Sequence, residues 1–156
     1  MRMSDFVVRE AISPDLKAVN KDGAIREMVE LLRAAGHFKN AEPEEIVQAI
    51  LKRELLGSTG IGRGVAIPHA KHPNIDRLLG TVAISRQGVP FEALDGEPVY
   101  VFVMLISPQN RAGEHLRALE NVSRSLRDDS FVLSLRRATT KDAIWGLVDD
   151  QDQHNY

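Results

Sequence analysis

The run Val99-Tyr100-Val101-Phe102-Val103-Met104-Leu105-Ile106 constrains this chain more than any other feature. It is apolar throughout and rich in β-branched and aromatic residues, so as a strand it turns apolar side chains to both faces and needs cover above and below. A second strand is expected at Leu79-Gly80-Thr81-Val82-Ala83-Ile84-Ser85, with turns at Pro90 and Asp95-Gly96 between the two. A shorter strand is expected at Val65-Ala66-Ile67.

The cover is visible as helical periodicity. Ile25, Met28, Val29 and Leu32 fall at i, i+3, i+4 and i+7, with Asn20 or Asp22 to cap the start and Gly36 to stop the helix. A second helix starts at Pro43, tolerated in a first turn, and ends near Gly57, with Ile46, Val47, Ile50, Leu51 and Leu55 as its expected stripe. After Ser107-Pro108 the period returns from about Gly113 to Arg127, with Leu116, Leu119, Val122 and Leu126 on one side. Two short helices follow, carrying Phe131, Leu133 and Leu135, then Ile144, Trp145, Leu147 and Val148. Helices before, between and after strands, with no repeat and no linker, predict an α/β fold: a single three-layer sandwich of mixed β-sheet flanked by helices on both faces. It spans 1–156 as one domain, with 149–156 a polar, frayed tail.

At 156 residues such a core needs no disulfide or structural metal to hold it, and the chain has no cysteine at all. Thiolate chemistry and Cys-ligated zinc are thereby excluded. A formal net charge of −2 argues against a nucleic-acid partner. The N-terminus lacks a signal-length apolar run and no segment approaches a membrane span, so the expected location is cytoplasmic, without membrane insertion.

Between the second helix and the first strand stands Gly57-Ser58-Thr59-Gly60-Ile61-Gly62-Arg63-Gly64, with four glycines in eight residues. Closely spaced amides with little side-chain bulk suit a phosphate. Gly57 and Gly62 have nucleotide P-loop spacing, but Arg63-Gly64 stand where Lys and Ser or Thr are required, and the loop precedes a strand instead of following one. That argues against a nucleotide site. The alternative, which the loop alone favours, is a glycine-rich turn without a ligand. His69, directly after Val65-Ala66-Ile67-Pro68, tips the balance: a strand end holds an imidazole rigidly beside the loop, and neutral imidazole is a competent nucleophile near neutral pH. The other reading of His69 is a histidine hydrogen-bonded in a turn. His72 makes an H-x-x-H pair with His69, but no carboxylate lies close in sequence and zinc needs a third ligand, so no metal is expected. His37 and His154 carry no visible context.

The segment from Arg53-Glu54-Leu55-Leu56 through Gly57 to Pro68-His69 resembles the active-site signature of enzyme IIA of the bacterial phosphoenolpyruvate-dependent phosphotransferase system, of the fructose/mannitol/nitrogen-regulatory type. The resemblance extends through Pro90-Phe91, Asp95-Gly96, the strand ending at Leu105, and His115-Leu116 with Leu119. It implies that His69 accepts a phosphoryl group from the phosphohistidine of a small histidine phosphocarrier protein. It implies also that His115 lies beside His69 and that Arg53 borders the site. Ser58, Thr59, Gly60 and Gly62 would donate hydrogen bonds to the phosphate, and no cofactor or metal is needed. Arg53 could instead be a solvated helix residue and His115 a polar helix start, though Leu119 and Val122 at i+4 and i+7 put His115 on the inward face. Without a cysteine the chain cannot contain the usual IIB acceptor, so the acceptor is expected to be a separate IIB component serving sugar uptake. The alternative is a stand-alone regulatory protein whose partner binding follows phosphorylation of His69.

Overall fold

The computed structural model describes residues 1–154. Strand β5 (Val99–Pro108) lies at the middle of a mixed sheet of five strands. On one side it pairs antiparallel with β4 (Leu79–Val89), from Leu79 opposite Ile106 to Val89 opposite Val99. On the other it pairs parallel with β2 (Val65–Ala66) and then β3 (His69–His72), while β1 (Gly60–Gly62) folds antiparallel onto β2. The single strand expected at 65–67 is thus two short ones around Pro68. Pairing continues through the proline because its carbonyl, which it keeps, accepts Leu105 N–H at 3.0 Å.

The alternation of β5 explains the layers. Phe102, Met104 and Ile106 pack with α1 (Lys21–Ala34) and α2 (Pro43–Leu55). Val101, Val103 and Leu105 pack with α3 (Ala112–Leu126), α4 (Asp129–Arg137) and α5 (Lys141–His154). The chain is therefore the expected α/β three-layer sandwich. The free edge of β4 is covered by the N-terminal segment, which bridges it at Val7–Gly80 and Ser13–Ala83.

Local chemistry sets the boundaries. The Asn20 side chain caps α1 by accepting Gly23 N–H at 2.7 Å, and Gly36 turns the chain at φ +96°. In α2, Ile46, Val47 and Ile50 are buried, but Leu51 is half-buried, Leu55 is 87% exposed, and Glu54 takes the inward position instead. Leu116 and Leu133 also face outward, and His115, Ala118, Val122 and Leu126 form the inner stripe of α3. The expected frayed tail is a correction: α5 runs to His154, and its polar residues are fastened. The Asp152 carboxylate, 1% exposed, accepts Met3 N–H at 2.7 Å and Ser4 N–H at 2.9 Å. Only Asn155 and Tyr156 of that tail lie outside the described residues.

Candidate active site

His69 opens β3, where pairing with Leu105 of the central strand fixes its backbone. Its Nδ1 lies 2.7 Å from the Ile67 carbonyl oxygen. A carbonyl only accepts, so Nδ1 carries the proton and Nε2 keeps the ring's free lone pair. His115, in the first turn of α3, is 5% exposed, and its Nδ1 is bound to the Ser107 hydroxyl of β5. The two imidazoles stand with ring centroids 5.4 Å apart, tilted by 53°. Strand β5 positions both histidines: Leu105 pairs with His69, and two residues on, Ser107 points to His115.

Arg53, in the last turn of α2, donates from Nη1 to the Gly57 carbonyl at 2.8 Å. It shares with both histidines a cavity of about 590 Å³ whose lining includes Lys52, Lys71, Leu56, Leu116 and Leu119. The charged lining residues are all cationic, so the cavity is prepared for an anion. Burial first, then the Arg53 and Lys71 charges, lowers the His69 pKa, against the Ile67 hydrogen bond and Glu54, which raise it. Burial also depresses His115, helped by His69 and Lys71, to about 4. Near neutral pH both rings are therefore uncharged, one of them an available nucleophile.

The structure thus brings His69, His115 and Arg53 together and leaves the glycine-rich loop out. Ser58 donates its hydroxyl to the Phe91 carbonyl at 2.9 Å and accepts Gly60 N–H at 3.0 Å. Thr59 gives both N–H and hydroxyl to Glu54, and Gly62 lies in the β1–β2 hairpin opposite Val65. None of Ser58, Thr59, Gly60 or Gly62 lines the cavity. The Ser58 hydroxyl, the Thr59 N–H and hydroxyl and the Gly60 N–H are thus engaged by the protein itself. His72 is turned from His69 by strand alternation and accepts Asn74 N–H at 3.1 Å. Among the described residues no three His, Cys, Asp or Glu converge to hold a metal.

Three residues escaped the sequence reading. Lys71 follows His69 by two, which on a strand places both on one side. Glu54 follows Ile46 and Ile50 at steps of four, a spacing that signals the buried face of α2. Ser107 carries no sequence signal beyond standing at a strand end.

Residues 5–151 match the family model described as "Phosphoenolpyruvate-dependent sugar phosphotransferase system, EIIA 2". The chain belongs to this family. This IIA protein is 34% identical over 148 residues to a nitrogen regulatory protein of Bradyrhizobium diazoefficiens, covering 95% of each chain. It superposes on the crystal structure of nitrogen regulatory protein IIA-Ntr from Neisseria meningitidis with a TM-score of 0.86 at 28% identity, covering 94% of this chain and 98% of that one. The mannitol IIA enzyme from Escherichia coli, in a complex with phosphorylated mannitol IIB, gives a TM-score of 0.75 at 26% identity, covering 90% and 95%. Among the described residues of this IIA protein no helix is long and apolar enough to cross a membrane.

Proposed function

We propose that His69 Nε2 takes a phosphoryl group from the phosphohistidine of a small histidine phosphocarrier protein and passes it to a separate IIB component. The observation that carries this reading is the Nδ1–H bond to the Ile67 carbonyl, which leaves Nε2 as the nucleophilic nitrogen. In the first step the donor's N–P bond breaks as the Nε2–P bond forms: the donor ring, protonated on its other nitrogen, leaves as neutral imidazole, and the His69 ring, which keeps its Nδ1 proton on the Ile67 carbonyl, takes up the positive charge. In the second the Nε2–P bond breaks toward the acceptor. Such transfers spread charge over the equatorial oxygens, so catalysis is positioning and electrostatic stabilisation. Arg53 and Lys71 supply positive charge, and His115 supplies a hydrogen-bonding nitrogen beside the phosphoryl group. Leu56 and Leu116, 84% and 64% exposed at the cavity, give a protein partner an apolar seat. The IIB complex of the mannitol relative supports a protein acceptor on this fold.

A second reading is favoured by the nitrogen regulatory relatives, which this chain matches nearly end to end. In it the covalent step is the same, and the output is a protein contact switched by the added charge on His69. Either reading places the chemistry in the cytoplasm, where the phosphocarrier acts.

The test is intact mass after incubation with phosphoenolpyruvate, enzyme I and histidine phosphocarrier. The wild type is expected to gain one acid-labile phosphoryl group, and His69→Ala none. Phosphate retained on His69→Ala would move the acceptor elsewhere. Transfer onward to IIB from the same cell supports the relay, and a partner bound by only one phosphorylation state supports the switch.

A further inference from the structure

The geometry points to Glu54, held by Lys21, as a positioning residue for His69, acting through Thr59 and Ile67. This rests on His69 being the phosphoryl acceptor. A continuous set of hydrogen bonds joins the two ends. Glu54 Oε1 meets Lys21 Nζ at 2.9 Å and accepts Thr59 N–H at 3.1 Å, and Oε2 accepts the Thr59 hydroxyl. The Thr59 carbonyl accepts Ile67 N–H at 3.1 Å. The Ile67 carbonyl then takes Nδ1–H of His69 at 2.7 Å.

The placement of the charge is the argument. The Glu54 side chain is 3% exposed and that of Lys21 17%, on a face that Ile46 and Ile50 otherwise make apolar. A leucine there would pack without desolvating a carboxylate, and buried ion pairs are weak contributors to stability next to apolar residues of similar volume. The pair does something a leucine cannot. It ties the start of α1, the end of α2 that carries Arg53, and the loop before β1 at one point. Lys21 is itself held 4.8 Å from the centre of the Phe91 ring, and Ser58 binds the Phe91 carbonyl, so the anchor is braced from both sides. What the anchor fixes is the direction of the Ile67 carbonyl. That carbonyl sets the tautomer of His69, and the tautomer decides which nitrogen attacks. The carboxylate also raises the His69 pKa, opposing Arg53 next to it in sequence.

The experiment has two independent readouts on the full chain. Nitrogen-15 NMR of the unphosphorylated protein reports the tautomer of His69, and single-turnover transfer from phosphorylated histidine phosphocarrier reports the rate at saturating donor and the half-saturating concentration. In the wild type the spectrum is expected to show Nδ1 protonated. Glu54→Ala, checked as folded by circular dichroism, is expected to give a mixed tautomer and a saturating rate at least tenfold lower, with half-saturation unchanged. Glu54→Gln keeps an oxygen for the Thr59 amide and is expected to recover the wild-type nitrogen shifts. A folded Glu54→Ala with wild-type shifts and rate overturns the proposal. If Glu54→Ala does not fold, Glu54→Leu, which fills the site but offers the Thr59 amide and hydroxyl no acceptor, carries the same two readings, and wild-type values there overturn it. Failure of the acceptor assignment is separate: it appears as phosphate on His69→Ala, while the NMR arm still tests whether Glu54 sets the ring.

Discussion

On the proposed function, a histidine that carries phosphate must keep one nitrogen bare while its neighbour tolerates a dianion, and the two rings here differ in ways that suit those tasks. His69 is half-buried with its free nitrogen set by a carbonyl. His115 is buried, hydroxyl-bound and depressed to about 4 by burial first, then by the neighbouring His69 and Lys71. A phosphoryl dianion on His69 reverses part of that: nearby negative charge favours the imidazolium. His115 is therefore expected to titrate near pH 4 in the free protein and well above it after phosphorylation, read by NMR titration of both forms. An unmoved His115 would mean the phosphoryl group does not sit against it. Arg53 tests the cationic side of the cavity. Its side-chain hydrogen bond to the Gly57 carbonyl is solvent-exposed, so Arg53→Met is expected to cost about 1 kcal/mol or less in urea unfolding. Its transfer rate is expected to fall by roughly two orders of magnitude, as for loss of one charge-stabilising donor.

At the scale of elements, the hairpin before His69 is a scaffold that shapes the site from behind. A Cβ added at Gly60 would meet Ala93 Cβ at 2.8 Å and Ala93 Cα at 3.0 Å, so the β1 strand and the 90–96 connection must touch there. Gly60→Ala is expected to destabilise the fold by about 1–3 kcal/mol, the cost of overpacking, measured as a lowered urea midpoint at unchanged slope. This loop also marks what a sequence can and cannot disclose. Strand β5 was legible because a continuous apolar run admits few other uses; that Arg53 and His69 lie near one another was legible because they share one local segment, whereas His115 was joined to them only through the resemblance. The engagement of the Ser58 hydroxyl was not legible, because it finds its partner at Phe91, 33 residues away, and no local spacing reports such a pairing. Glu54 was hidden by its own polarity: a stripe drawn through Leu51 and Leu55 looks better by hydrophobicity, while the ion pair with Lys21 that makes burial tolerable comes from another helix. The end of α5 misled in the same way, since Asp152 reads as solvent-facing until the backbone amides of Met3 and Ser4 are placed on it.

Across the whole molecule, the two histidines that prepare the site also make the fold sensitive to acid. A ring whose folded pKa lies below its unfolded value stabilises the protein fully above the unfolded pKa, and the contribution is lost as pH falls toward the folded one. For His115 the unfolded value is 6.5 and the folded value about 4, so between these limits the unfolded chain holds a proton the folded chain refuses. At 1.36 kcal/mol per unit this amounts to at most about 3 kcal/mol by the lower limit, and His69, shifted the same way, adds to it. Asp15, Glu30, Glu44 and Asp95 also cost stability in acid, but their folded pKa values are lowered from 3.8 or 4.5, so their loss sets in only from the acid end of that range downward. The windows are separable. Urea unfolding at steps from pH 7.5 to 4.5 is expected to show stability falling below about pH 6.5 in the wild type, and His115→Gln is expected to flatten much of that slope. A slope unchanged in His115→Gln would place the proton uptake on other groups and remove the physical basis for a neutral His115 beside the proposed phosphoryl site.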